Sequence, residues 1–98
     1  MTRKVTIRHV AGCPGLELLK ERLPGPVAED DVAFELIATP EDAARVGFYG
    51  SPTILINGTD PFPVAGTPSL SCRLYWTEQG AEPAPSISQL TEALNAQK

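Results

Sequence analysis

The chain has no apolar run approaching the roughly 20 residues a membrane helix needs, so no spanning segment and no membrane partner are expected. It has no basic excess either. Eight Lys and Arg against twelve Asp and Glu leave a net charge of -4. Nucleic-acid binding by phosphate neutralisation needs a basic face and is not expected. The short cluster of Arg3, Lys4 and Arg8 reads as the solvated start of a strand. Cysteines number only two, too few for a dense disulfide framework. None is needed, because a 98-residue chain buries roughly two thirds of its unfolded surface and can build one core. Arg8 and His9 interrupt the apolar stretch a secretory signal would require, which makes the expected location cytoplasmic, where thiols stay reduced. Ten prolines and eight glycines stay below the share that marks a low-complexity chain. With no repeat and no linker, residues 1–98 read as a single domain.

What is present alternates between strand and helix patterns. Val5 to Val10 is short and rich in β-branched residues, as strands are. Gly12-Cys13-Pro14-Gly15 is a turn, after which Leu16, Leu19 and Leu23 recur at helical spacing. Pro24-Gly25-Pro26 stops that helix, and Glu29-Asp30-Asp31 reads as a solvated loop. Val32, Phe34, Leu36 and Ala38 alternate as a second strand. Thr39-Pro40-Glu41-Asp42 starts a helix that Gly47 ends. Thr53-Ile54-Leu55-Ile56 is a compact strand closed by Asn57-Gly58. Residues 59–70 carry Pro61, Pro63 and Pro68 and form a long connection, a substrate rim or a cover for the sheet edge. Leu70 to Thr77 is a fourth strand, with Cys72, Leu74 and Trp76 expected to pack on the buried face. A Gly/Pro-rich loop leads to a capping box at Ser86-Ile87-Ser88-Gln89. A final helix follows, with Ile87, Leu90, Ala93 and Leu94 as its stripe. The order β-α-β-α-β-β-α predicts an α/β layered domain whose mixed sheet has four strands flanked by helices.

This order and two motifs resemble the thioredoxin-like superfamily over essentially the whole chain. Gly12-Cys13-Pro14-Gly15 stands between the first strand and first helix, where thioredoxins and glutaredoxins carry a C-x-x-C pair. Gly50-Ser51-Pro52-Thr53-Ile54-Leu55 looks like the family's cis-proline segment, with Pro52 as the cis residue. The second cysteine of the pair would fall at position 16, which is Leu16, so only Cys13 carries over. The chain is therefore similar to a single-cysteine (C-P-G-L) variant. The segments around Cys13 and Cys72 also resemble small bacterial thioredoxin-like proteins, some related to mercury resistance. The resemblance implies Cys13 as the reactive thiol, and substrate contacts at Pro14, Ser51, Pro52 and Thr53. It also implies that backbone beside Pro52 pairs with an extended substrate by strand addition.

A thiolate at the start of the first helix would face unpaired N–H groups and the positive end of the helix dipole, which stabilise it. Cys72 is the candidate resolving or co-ligating thiol. The expected topology brings it in at the far end of the sheet, about four residues or roughly 13 Å away, beyond disulfide reach. The long 59–70 loop can change that register. The competing reading of Cys72 is a buried cysteine packed with Leu74 and Trp76. His9, four residues before Cys13, reads as a strand residue beneath the turn rather than a metal ligand, because the trio His9, Cys13 and Cys72 lacks compact spacing and a fourth partner.

The expected activity is thiol–disulfide exchange, or capture of a soft electrophile, through Cys13. The partner would be a disulfide-bearing protein or a small thiol such as glutathione. No metal or other cofactor is expected, and the state is a monomer or a reducible dimer. The rival readings are a non-catalytic binding module that kept the fold, for which Leu16 speaks, and a thiol-based mercury or arsenic handling protein.

Overall fold

A computed structural model describes residues 4–23, 32–62 and 68–96. Arg3, the helix stop at Pro24-Gly25-Pro26, the acidic run Glu29-Asp30-Asp31 and Pro63 lie outside the described residues. The elements are β1 (Val5–His9), α1 (Pro14–Arg22), β2 (Val32–Leu36), α2 (Pro40–Val46), β3 (Thr53–Ile56), β4 (Tyr75–Thr77), β5 (Gly80–Glu82) and α3 (Ile87–Ala96).

β1 is the central strand of a three-stranded mixed sheet ordered β2-β1-β3. It runs parallel to β2, with Val5 opposite Val32 and His9 opposite Leu36. It runs antiparallel to β3, with Val5 opposite Ile56 and Arg8 opposite Thr53. The β-branched residues of β1 and β3 alternate across the pleat, so one face carries Val5, Ile7, Ile54 and Ile56. That face packs on Leu16 and Leu19 of α1 and on Leu90, Ala93 and Leu94 of α3. Each buried Val, Ile or Leu side chain there contributes about 1.5–3 kcal/mol of hydrophobic stabilisation. A second, smaller cluster of Ile37, Ala43 and Phe48 gathers around α2.

The helix ends follow their sequence signals. Pro14 sits in the first turn of α1. Thr39 caps α2, its Oγ1 accepting from the Asp42 N–H at 3.1 Å, and Gly47 closes that helix at φ 72°. The capping box forms at α3. Ser86 Oγ accepts from the Gln89 N–H, and Gln89 Oε1 accepts from the Ser86 N–H at 2.9 Å. Ile87 stays exposed, so the buried stripe of α3 starts at Leu90.

Two expectations about the sheet are corrected. The four-stranded sheet does not form among the described residues, because the fourth strand never joins β3. Its first part, Ser69–Arg73, lies alongside residues 48–51 instead. Its last part becomes β4 and pairs with β5 in a separate two-stranded sheet, Tyr75 opposite Glu82. β5 lies where the sequence reads as loop. The expected face of the fourth strand is also reversed. Leu74 and Trp76 are 63% and 77% exposed and Cys72 is exposed, while Arg73 and Tyr75 are buried. The alternation is real, but an ion pair and a hydrogen-bonded phenol turn its polar-looking side inward.

Candidate functional site

Cys13 is the N-cap of α1, with extended backbone at φ -77° and ψ 114°. Gly12 at φ 69° makes the sharp entry into this turn. The Cys13 side chain makes no capping hydrogen bond. Its carbonyl accepts from the Leu16 N–H at 3.2 Å. The residue is only 6% exposed and packs in the main core.

The turn rests against Pro52. Gly15 lies so close that a Cβ there would stand 2.9 Å from Pro52 Cδ and 2.6 Å from the Pro83 carbonyl oxygen. The Ser51–Pro52 peptide bond is cis. Because β3 is antiparallel to β1, the start of β3 meets the end of β1, and this brings Pro52 to the Cys13 turn. Ser51 Oγ ties the two, accepting from the Val10 N–H at 3.1 Å.

Of the four expected contact residues, Pro14 is exposed and Ser51, Pro52 and Thr53 are buried. Their polar groups are used within the protein. Thr53 Oγ1 donates to the Gly50 carbonyl at 2.7 Å. The Tyr75 hydroxyl donates to the Pro52 carbonyl at 2.5 Å. The Ser51 N–H donates to the Ser71 carbonyl and the Ser51 carbonyl accepts from the Arg73 N–H, each at 2.9 Å. Ser51 and Cys72 thus form a parallel bridge pair.

That bridge corrects the expected position of Cys72. The chain leaves the far end of β3 at Asn57, and by Ser69 it has returned to the near end, where the Ser69 N–H donates to the Phe48 carbonyl at 2.9 Å. Cys72 therefore lies at the same end of the sheet as Cys13, across the ladder from Ser51, the residue that precedes Pro52. It is not the buried packing residue that its strand pattern suggested. Both cysteines are free thiols.

Arg73 anchors this arrangement. Its guanidinium pairs with Asp60 at 2.8 Å, donates to the Phe62 carbonyl and lies 4.5 Å from the centre of the Tyr75 ring. Its side chain is 4% exposed. Such a charge is tolerated in the interior because it is paired with Asp60 and hydrogen-bonded to the Phe62 carbonyl. Burial pushes the Tyr75 phenol well above its ordinary range. Arg73 opposes that shift, and negative charge on Asp60 or Cys13 adds to it. Asp60, Arg73 and Tyr75 are the site residues that the sequence did not single out. A buried Arg carries no sequence signal until its acid, here thirteen residues away, is placed beside it.

His9 ends β1, with Nδ1 3.2 Å from the Val10 carbonyl oxygen and its ring edge-on to Phe34. No hydrogen bond joins it to Cys13 among the described residues. Nor do three His, Cys, Asp or Glu side chains among them converge to hold a metal ion. A cleft of about 680 Å³ lies on the other face of the sheet, over Thr6, Arg8, Leu55 and Tyr49, and neither cysteine lines it. No described helix is long and apolar enough to cross a membrane. No protein-family model, curated protein or solved structure matches the chain.

Proposed function

We propose that the chain is a thioredoxin-like thiol protein that carries out thiol–disulfide exchange through Cys13. One observation carries the reading: the Cys13 turn packs through Gly15 directly on a cis-Pro52, so a helix-start thiol and a proline-bounded strand start share one site. The Cys13 thiolate attacks one sulfur of a disulfide R–S–S–R′. A Cys13–S–S–R bond forms and R′–S⁻ leaves and takes up a proton. A small thiolate of the glutathione class then attacks the R sulfur, freeing Cys13 and releasing the second disulfide. This chemistry suits a reducing compartment such as the cytoplasm.

The test is single-turnover exchange with a small disulfide, compared among the parent chain, Cys13→Ser and Cys72→Ser. Exchange in Cys13→Ser should fall to the rate of an ordinary exposed thiol, that of Cys72, and the faster exchange should persist in Cys72→Ser. Exchange by folded Cys13 no faster than by the urea-unfolded chain overturns the reading and leaves a non-catalytic module.

A second reading rests on the Ser51–Cys72 bridge, which brings the second thiol to the Cys13 end of the sheet. Two thiolates with no third ligand converging on them among the described residues suit a soft two-coordinate ion such as mercury(II). It predicts one ion bound per chain, with tight binding lost on replacing either cysteine.

A further inference from the structure

The backbone edge that an extended substrate would use is already taken by the protein itself. In strand addition, an incoming chain pairs with a free N–H and C=O on one residue of an exposed edge. At Ser51 both groups point to residues 71–73, which accept and donate in turn. The neighbouring carbonyls are also engaged, Gly50 by the Thr53 hydroxyl and Pro52 by the Tyr75 hydroxyl. Pro52 has no N–H to offer.

The occupying segment is not loosely laid. Gly50, at φ 131°, meets it so closely that a Cβ there would stand 2.9 Å from Arg73 Cβ and 3.3 Å from the Ser71 carbonyl oxygen. Arg73 then fixes the segment through Asp60, the Phe62 carbonyl and the Tyr75 ring. Lifting residues 71–73 away would unpair a buried guanidinium, which is among the costlier single losses a fold can suffer. Cys13 is itself only 6% exposed, so the approach to its sulfur is narrow.

We infer that Ser69–Arg73 acts as a built-in strand on the substrate edge, so that Cys13 exchanges with compact low-molecular-weight disulfides and not with disulfides carried on extended polypeptide. This rests on the thiol-exchange reading above and narrows its substrate class. The step is the balanced one already given, with R and R′ small and the reducing thiol of the glutathione class.

The experiment uses Cys72→Ser, which leaves Cys13 as the sole thiol. Its rate of mixed-disulfide formation is measured by mass spectrometry with glutathione disulfide and with a cystine-linked 12-residue peptide of the same net charge. Each rate is divided by that of the urea-unfolded chain. The small disulfide should be favoured by about tenfold or more, the scale of one backbone hydrogen bond that the peptide cannot make. Equal normalised rates overturn the inference while leaving the thiol-exchange reading intact. Slow reaction with both overturns that reading and this one together. In the Cys72→Ser background, Arg73→Ala should raise the peptide rate selectively. If that variant does not fold, amide exchange at Ser51 in the parent chain decides. Protection of that amide supports the built-in strand, and loop-like exchange overturns it.

Discussion

The Tyr75 hydroxyl donates to the carbonyl of Pro52 across 23 positions of sequence, and so joins the strand that leaves the site to the residue at its centre. Both groups are buried. Tyr75→Phe keeps the ring but strands the carbonyl, and should cost about 1–3 kcal/mol in urea denaturation. The same burial raises the phenol pKa above its unfolded value near 10. The folded chain then holds this proton where the unfolded chain releases it. Stability from this source is whole below about pH 10 and falls as pH rises beyond it. Tyr75→Phe should flatten that alkaline decline.

Arg73 and Asp60 make the most buried ion pair of the described chain. Arg73→Ala leaves Asp60 without its cation and empties a packed position, and should cost about 3–5 kcal/mol. Because the pair acts as a unit, Arg73→Ala with Asp60→Ala should cost less than the sum of the two single changes. A double-mutant cycle by thermal or urea unfolding measures the difference.

Gly15 has room for hydrogen only on the side that faces Pro52 and Pro83. Gly15→Ala should destabilise by about 1–3 kcal/mol through overpacking. It should also alter Cys13 reactivity toward a small disulfide. Gly58→Ala makes the informative control, since a Cβ there meets nothing within 4 Å. The control should leave Cys13 rates unchanged even though its positive φ costs some stability.

The two thiols should differ in what can reach them. Cys72 is exposed and Cys13 is buried. A maleimide on a large polymer should label folded Cys13→Ser at Cys72 within minutes, and folded Cys72→Ser far more slowly. Mild oxidation should give a reducible dimer through Cys72, present in Cys13→Ser and missing in Cys72→Ser. Gel mobility without reductant reads both outcomes.

Glu78 receives hydrogen bonds from the hydroxyls of Ser86 and Ser88, at 3.0 and 2.6 Å. They hold its carboxyl down at about 2, against an ordinary 4.5. The stabilisation this represents is present above about pH 4.5 and is lost as pH falls toward 2. Ser88→Ala should move the Glu78 titration upward, read by carboxyl carbon NMR, without disturbing the Ser86–Gln89 capping box.

Local signals in the chain foretold what local physics decides. β-branched residues at 5–10 produced β1, Leu16 and Leu19 produced the inner face of α1, and Thr39, Gly47 and Ser86 marked helix ends. The contact of the Cys13 turn with Pro52 follows from the antiparallel pairing of β1 and β3, which sets the start of one strand beside the end of the other. The 70–77 segment behaved differently because its partners are distant. Alternation puts Arg73 and Tyr75 on one side and Leu74 and Trp76 on the other, but it cannot say which side is inward. Hydropathy points to the Trp76 side. Asp60 and the Pro52 carbonyl, both far along the chain, give Arg73 and Tyr75 the polar partners that let them be buried instead. The same anchoring moves Cys72 from the far end of the sheet to the near one.

The outward turn of Trp76 has an optical consequence. It is the chain's one tryptophan, and it stands 77% exposed on the β4–β5 hairpin. Indole emission should already be that of a water-bathed ring in the native state, and should shift little when the core melts. The buried aromatic at the site is Tyr75, edge-on to Phe62 at 5.6 Å between ring centres. Near-ultraviolet circular dichroism in the tyrosine band is therefore the signal that follows the site, while tryptophan fluorescence follows what approaches the hairpin from outside.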